Sequence, residues 1–189
     1  MKLSNKHYFF AVPLPPDIKE SLFQLCENIK IDHPFKRWVH KEDYHITLAF
    51  LGDADHTQLM EAIHVIKESL ASSSSFNIKI NHLGIFGREK APRIFWAGLL
   101  ESPELNMLRG KVYESCLKAG FQLDKKPFNP HITLARKWDE TKQNFTLEKL
   151  KEINLTAPSF SVNQVLLYET NIEATPKYQK KAVIHLGDD

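Results

Sequence analysis

Cysteine is scarce: the chain of 189 residues has two, Cys26 and Cys116. They lie far apart and form no Cys-x-x-Cys pair, which argues against a zinc knuckle and a disulfide framework. The expectation is two small buried side chains in a reducing cytosol. Long apolar runs are missing as well. The run Tyr8-Phe9-Phe10-Ala11-Val12 is stopped by Pro13, Pro15 and Pro16 before a secretory segment can form. The later run Ile94-Phe95-Trp96-Ala97-Gly98-Leu99-Leu100 falls far short of the roughly 18 residues of a membrane span. A soluble, cytoplasmic protein with no membrane contact is therefore expected. Charge of one sign is also absent, since 25 Lys and Arg against 23 Asp and Glu leave a net charge of +2. That is too little for wrapping long duplex nucleic acid and leaves room only for a local basic patch. What remains is an ordinary globular balance, 42% hydrophobic and 25% charged, on a length that fits one domain or two small lobes. Only histidine stands out, with nine.

Apolar periodicity gives the order of elements. Tyr8 to Leu14 reads as a short buried strand, and Pro15-Pro16-Asp17 opens a helix with Ile18, Leu22, Leu25 and Ile29 on one stripe. A second strand, Tyr44 to Leu51, leads to a helix capped by Thr57 and carrying Leu59, Ile63, Ile66 and Leu70. Phe76, Ile78 and Ile80 alternate as a strand that ends near Gly84 and Gly87. The second half repeats the order. A strand from Arg93 to Leu100 precedes the cap pair Ser102-Pro103 and a helix through Leu105, Leu108, Val112, Cys116 and Ala119 to Gly120. Then come a strand from Phe128 to Ala135, a short helix from Thr146 to Ile153, a strand from Phe160 to Tyr168 and a last strand from Tyr178 to Leu186. Strand, helix, strand, helix, strand twice over predicts an α+β fold of two pseudo-symmetric lobes, not a parallel βαβ sheet. The halves run roughly over 1–86 and 92–168 within a single bilobal domain, 1–189, and strand 178–186 completes the sheets.

A repeated word supports the duplication: His45-Ile46-Thr47-Leu48-Ala49 recurs letter for letter as His131-Ile132-Thr133-Leu134-Ala135. Strand alternation places Ile46, Leu48 and Phe50 on the core face and His45, Thr47 and Ala49 on the other, with imidazole and hydroxyl about 7 Å apart. His131, Thr133 and Ala135 do the same in the other lobe. One such strand would be an ordinary half-exposed strand. Two matched copies are not, because an apolar core needs no matching polar residues on its opposite faces.

Metal binding is the competing chemistry. Zinc wants a third ligand, strand histidine pairs are normally His-x-His, and here position i+2 is Thr in both copies with neither cysteine placed to help. No metal and no cofactor are expected. Two imidazoles and two hydroxyls about a pseudo-twofold axis suit a tetrahedral anion such as a phosphodiester. In-line displacement at phosphorus needs a base beside the attacking oxygen and an acid beside the leaving one. One neutral and one protonated histidine near the usual pKa of about 6.5 supply both, although spacing does not say which is which.

These words and their flanks resemble the two-histidine phosphoesterases, and within them the RNA 2′,3′-cyclic phosphodiesterase branch, also called the 2′-5′ RNA ligase family. The resemblance runs through Phe9-Phe10-Ala11-Val12-Pro13-Leu14-Pro15, Arg37-Trp38-Val39, His45 to Gly52, Gly84-Ile85-Phe86-Gly87, Pro92 to Gly98, Phe128 to Arg136 and Val165-Leu166-Leu167-Tyr168-Glu169. It implies two lobes whose antiparallel sheets line a central cleft, with helices outside, and metal-independent hydrolysis of a terminal 2′,3′-cyclic phosphate to a 2′-phosphomonoester. It also implies His45 as proton donor to the leaving 3′ oxygen and His131 as the base that activates water. Thr47 and Thr133 would hold the phosphoryl oxygens, and Arg136 would add positive charge. RNA ends or small cyclic nucleotides are the implied substrates, and nothing requires more than a monomer. Where the family's first strand begins with an arginine, this chain has Lys6-His7-Tyr8. Strict alternation also puts Arg136 on the face of Ile132 and Leu134, so it reaches the cleft only if the strand ends or bulges at Ala135.

Phe86, Trp38 and Phe128 flank the motifs and could stack on a base; the expectation is core for Trp38 and the site for Phe86. Arg88, Lys90 and Arg93, with Lys125 and Lys126, form the expected basic rim. His7, His33, His40, His56, His64, His82 and His185 have no matching partner and read as surface or structural. Two other functions use the same cleft: a module that binds a nucleotide or RNA end without turnover, and a phosphodiesterase or ligase for another cyclic or 2′-5′ linked nucleotide.

Overall fold

The computed structural model of the protein describes residues 6–156 and 158–187; both ends of the expected 1–189 unit lie outside them. The chain order is β1 (His7–Pro13), α1 (Pro16–Ile29), β2 (Phe35–Trp38), β3 (His45–Asp53), α2 (His56–Leu70), β4 (Phe76–Arg88), β5 (Ala91–Leu99), α3 (Pro103–Lys118), β6 (His131–Trp138), α4 (Glu148–Lys151), β7 (Ser159–Val162), β8 (Gln164–Thr170) and β9 (Tyr178–His185). The strands pair antiparallel in the order β7-β4-β5-β6-β3-β1-β8-β9, with β2 added to β6. One lobe is built on β1, β3, β8 and β9, the other on β4 to β7 with β2. Between β3 and β6 the paired residues are Ile46 and Ile132, which occupy the same place in the repeated word. The expected α+β architecture of two antiparallel lobes is the one the chain adopts.

Burial explains the elements. Phe9 to Val12 can be apolar throughout because β1 is central. Phe10 and Val12 join the main core under the helices, while Phe9 and Ala11 join a second cluster with Leu166 and Tyr168 on the opposite face. Pro16 starts α1, where its missing N–H costs nothing, and the helix buries Ile18, Leu22 and Cys26. Cys26 and Cys116 are both buried, and loss of solvent pushes their thiols up to about 11 and about 12. They are the inert core residues that their sequence context suggests. Ser102 caps α3 by accepting from Leu105 N–H at 3.1 Å, and Gly120, at φ +85°, closes it as expected.

Several expectations need correction. The cap of α2 is Asp55, whose carboxylate accepts from Gln58 N–H at 2.8 Å, so Thr57 lies inside the first turn. The stretch Phe160 to Tyr168 is two strands, not one: β7 pairs with β4 and β8 with β1. The chain changes partners at Asn163, a break that a continuous apolar pattern hides. β2 is too short to show a period. β6 begins at His131 and not at Phe128, and α4 is only one turn of the expected Thr146 to Ile153. β4 does not stop near Gly84 but runs to Arg88. Gly84 and Gly98 sit under the Trp96 indole, where an added Cβ would lie 2.3 Å and 2.7 Å from the ring.

The main correction concerns alternation inside the repeated words. Phe10 pairs with Ala49 and Ala11 with Thr47, so Leu48 is the extra residue of a bulge. Phe95 pairs with Ala135 and Trp96 with Thr133, so Leu134 is the extra residue of an equivalent one. Each bulge reverses the faces beyond it. Ala49 and Ala135 are therefore buried, where strict alternation had put them on the cleft side, and Phe50 is 57% exposed where it was expected in the core. Arg136 changes face with them.

The glycine beneath Trp96 gives a test of this packing. Gly84→Ala should lower unfolding stability by about 1–3 kcal/mol in a denaturant titration, because backbone-anchored overpacking must displace the indole. An unchanged midpoint would contradict the contact.

Candidate active site

The bulged strands set out the side chains of the cleft. At the start of β3, His45 Nδ1 lies 2.7 Å from the Asp43 carbonyl. A carbonyl only accepts, so Nδ1 carries the hydrogen, and Nε2 accepts from Thr47 Oγ1 at 3.0 Å. His131 repeats the anchor: its Nδ1–H donates to the Asn129 carbonyl at 2.8 Å. Among the described residues no equivalent bond joins His131 to Thr133, so Nε2 keeps an unengaged lone pair. Extending the register from Ile46 and Ile132 places Thr47 across from His131 and Thr133 across from His45. The structure thus brings together the four residues of the two words.

Aromatic rings wall both imidazoles. Phe9 lies 4.8 Å from His45, Tyr178 meets it edge-on at 5.1 Å and Tyr168 stands at 6.1 Å. Phe86 meets His131 edge-on at 4.9 Å, with Trp96 at 6.1 Å behind it. Phe86 therefore sits at the site, while Trp38 packs edge-on against Phe35 and Phe95 in the core. On the far side of His131 a cavity of about 750 Å³ is lined by Thr47, Phe50, Phe86, Arg109 and Phe128. The Arg109 guanidinium stacks on Tyr113 at 3.9 Å and faces Phe128 at 5.5 Å.

Asp43 is a positioning residue that the sequence reading missed. Its buried carboxylate accepts from the Lys177 and Tyr178 N–H groups, each at 3.0 Å, while its carbonyl holds His45. One residue thus fixes the imidazole and the tyrosine edge packed against it. Nothing in Lys41-Glu42-Asp43-Tyr44 marks Asp43 as special, and Tyr178 lies too far along the chain for any local pattern to link the two.

Electrostatics corrects the expected histidine charges. Burial pushes His45 down to about 4, and the nearby His131 and Arg136 add to the depression against the opposing pull of the Asp43 carbonyl. His131 is also lowered, chiefly by burial and then by Arg136. Both imidazoles are thereby held neutral at pH 7, so the expected pairing of one neutral and one protonated ring near 6.5 needs correction. The bulge at Leu134 turns Arg136 out of the core, and its charge lowers both rings and opposes the rise of the Tyr178 hydroxyl. The expected basic rim is divided. Arg88 and Arg93 line one groove with Arg136, whereas Lys126 lines the His131 cavity and is held by Asp124 at 2.8 Å. Among the described residues no three His, Cys, Asp or Glu side chains cluster as a metal site.

With this geometry in hand, comparison with known proteins is decisive. The model of the 2′-5′ RNA ligase superfamily matches residues 14–172. The chain belongs to the 2′-5′ RNA ligase superfamily. A Geobacillus stearothermophilus protein named RNA 2′,3′-cyclic phosphodiesterase is 44% identical over 97% of this chain, which spans 58% of that protein's length. A Bacillus subtilis protein of the same name is 36% identical over 92% of this chain and 93% of its own. The crystal structure of Escherichia coli LigT complexed with 3′-AMP is 22% identical, covers 98% of this chain and 100% of LigT, and superposes with a TM-score of 0.76. That likeness supports the two-lobed fold.

The structure shows where the residues of Lys6-His7-Tyr8, which stand in place of the arginine that the resemblance implies, go. Lys6 pairs with Glu169 at 3.3 Å, Tyr8 donates to the same carboxylate at 2.9 Å, and His7 stacks on Phe50 at 5.8 Å. Among the described residues, the lysine at this end of β1 is therefore held by Glu169.

The depressed His45 predicts a pH effect on stability. Between about pH 4 and pH 6.5 the unfolded chain binds a proton that the folded chain refuses, so this stabilisation is complete above the window and is lost as pH falls through it. For a full shift the loss is roughly 3 kcal/mol. Urea unfolding at neutral and mildly acid pH should show a smaller acid loss in His45→Gln than in the unsubstituted chain; equal losses would contradict the buried neutral imidazole.

Proposed function

We propose that the protein is an RNA 2′,3′-cyclic phosphodiesterase that hydrolyses a terminal cyclic phosphate to a 2′-phosphomonoester. The observation that carries this is the paired anchoring of the two imidazoles: each donates Nδ1–H to the carbonyl two residues upstream, which commits Nε2 to proton transfer. The same activity is in the names of the Geobacillus and Bacillus relatives, and a nucleotide occupies E. coli LigT in its 3′-AMP complex.

The steps follow from the tautomers. His131 Nε2, with its lone pair unengaged, takes a proton from water as the water oxygen attacks phosphorus. The bond from phosphorus to the 3′ oxygen breaks, and that oxygen takes the proton from His45 Nε2–H. His45 gains its proton only with substrate present. A phosphodiester brings a negative charge into a buried cleft, and an opposite charge within a few ångströms favours the imidazolium. Once Nε2 is protonated it no longer accepts from Thr47, whose hydroxyl hydrogen turns to a phosphoryl oxygen; Thr133, which among the described residues is bonded to neither ring, donates to another phosphoryl oxygen across the axis. Arg136 spreads positive charge toward both rings and stabilises the charge building on the phosphoryl group. Phe86 bounds the space beside His131 for a terminal base.

In this proposal the two lobes act as one bilobal unit, with β9 completing the sheet beside β8, and the protein works as a cytoplasmic monomer without a metal or cofactor. His45→Ala and His131→Ala should each reduce hydrolysis of a cyclic-phosphate-ended oligoribonucleotide by about 10²–10⁴-fold, with circular dichroism spectra unchanged. EDTA should leave the rate of the unsubstituted enzyme intact. Near-full activity in either variant would refute the acid–base pair, and inhibition by the chelator would restore the metal alternative.

A further inference from the structure

A second, basic groove of about 440 Å³ opens beside the cleft, between β2, β5 and the end of β6. Lys36, Arg37, Arg88, Arg93, Arg136 and Lys137 line it. Arg88 is paired with Glu140 at 3.2 Å and Lys36 with Asp139 at 3.4 Å, which leaves four cations without a carboxylate partner among the described residues. On a chain whose net charge is only +2, this is a concentrated field.

The backbone is shaped to build it. Lys137 has φ +61°, the left-handed region that a residue with a Cβ seldom enters. The consequence is visible on either side of it. Arg136 and Lys137 are consecutive and both exposed, and Trp138 turns back into the core at 3% exposure. Strand geometry without this twist would have buried one of the two cations. This unfavoured conformation both returns Trp138 to the core and sets two adjacent cations on one groove.

The groove is also continuous with the reaction centre. Ile94 pairs with Arg136 on one side and with Phe86 on the other, so a single cross-strand row runs from the groove wall to the ring against His131. Arg136 itself lines the groove and lies on β6, the strand that begins at His131. A strand whose last phosphate lies between the histidines can therefore pass over Arg136 and continue along Arg37 and Lys137.

We propose that this groove holds the upstream phosphates of a single-stranded RNA whose cyclic 3′ end is in the cleft, so that the preferred substrate is an oligoribonucleotide and not a cyclic mononucleotide. This rests on the phosphodiesterase proposal and adds the direction of the strand. The phosphodiester backbone supplies a negative charge at each nucleotide, and basic grooves that track it are the usual means of holding single strands. A rigid duplex is too broad for so small a groove.

The test uses the full-length triple variant Lys36→Gln, Arg37→Gln, Lys137→Asn, with Asn chosen because it tolerates positive φ. The substrates are a hexaribonucleotide ending in a 2′,3′-cyclic phosphate and a 2′,3′-cyclic mononucleotide. The ratio of their kcat/KM values should fall about tenfold or more in the variant. Fluorescence anisotropy of the hexamer carrying a 2′-phosphate, which does not turn over, should show weaker binding and a log K against log salt slope shallower by about 2. An unchanged ratio with unchanged anisotropy overturns the groove, and so does a duplex that binds as well as the single strand. If the triple variant fails to fold, Arg37→Gln alone should lower the ratio about threefold and Arg37→Lys should restore most of it. Groove-dependent binding of the hexamer without turnover of either substrate would leave the groove standing and overturn the phosphodiesterase proposal.

Discussion

The site depends on the pairing of Ile46 with Ile132. Through it the two repeated words meet antiparallel about a pseudo-twofold axis, and every functional side chain of the cleft is placed by its distance from that pair. His45 and His131 lie one residue to one side in each copy, Thr47 and Thr133 one residue to the other. A register slip of one residue in either strand would send its histidine and threonine to the core face. The axis is reinforced by equivalent bulges at Leu48 and Leu134, which bury Ala49 and Ala135 and turn Phe50 and Arg136 outward. From that point the copies diverge, since one bulge presents an aromatic ring and the other a guanidinium. A symmetric scaffold thereby acquires an apolar end and a charged end.

The same divergence appears in the histidines. Both are anchored through Nδ1, yet His45 is half-buried among Phe9, Tyr168 and Tyr178 and bonded to Thr47, whereas His131 lines an open cavity with its Nε2 unengaged. Two identical residues thus hold a proton differently. Desolvation is the largest effect at each, and it favours the uncharged rings. In the proposed reaction an incoming phosphodiester changes this balance, because its negative charge favours a protonated ring. Arg136 opposes protonation of the rings and favours the anion, so it helps the site most when substrate is bound.

Much of this was legible in the sequence because repetition is a stronger signal than propensity. The five-letter word fixed the duplication, the α+β class and the pairing of His45 with His131, and Ser102-Pro103 and Gly120 marked the ends of α3. The bulges were not legible. A period of two continues smoothly through Leu48 and Leu134, and only the partner strands reveal the extra residue. Asp43 was missed for a related reason, since its partners Lys177 and Tyr178 are brought to it by β9. Gly84 reads as a strand end, and becomes intelligible only once Trp96 is seen lying on it.

The central claim is that the cleft keeps His45 neutral until a phosphate anion arrives. The most direct measurement is the pH dependence of kcat/KM and of kcat on one cyclic-phosphate-ended oligoribonucleotide, since the first reports the free site and the second the complex. With His45 held near 4 in the free site and raised by bound phosphate, kcat/KM should peak at a distinctly lower pH than kcat. Coincident optima would contradict the account.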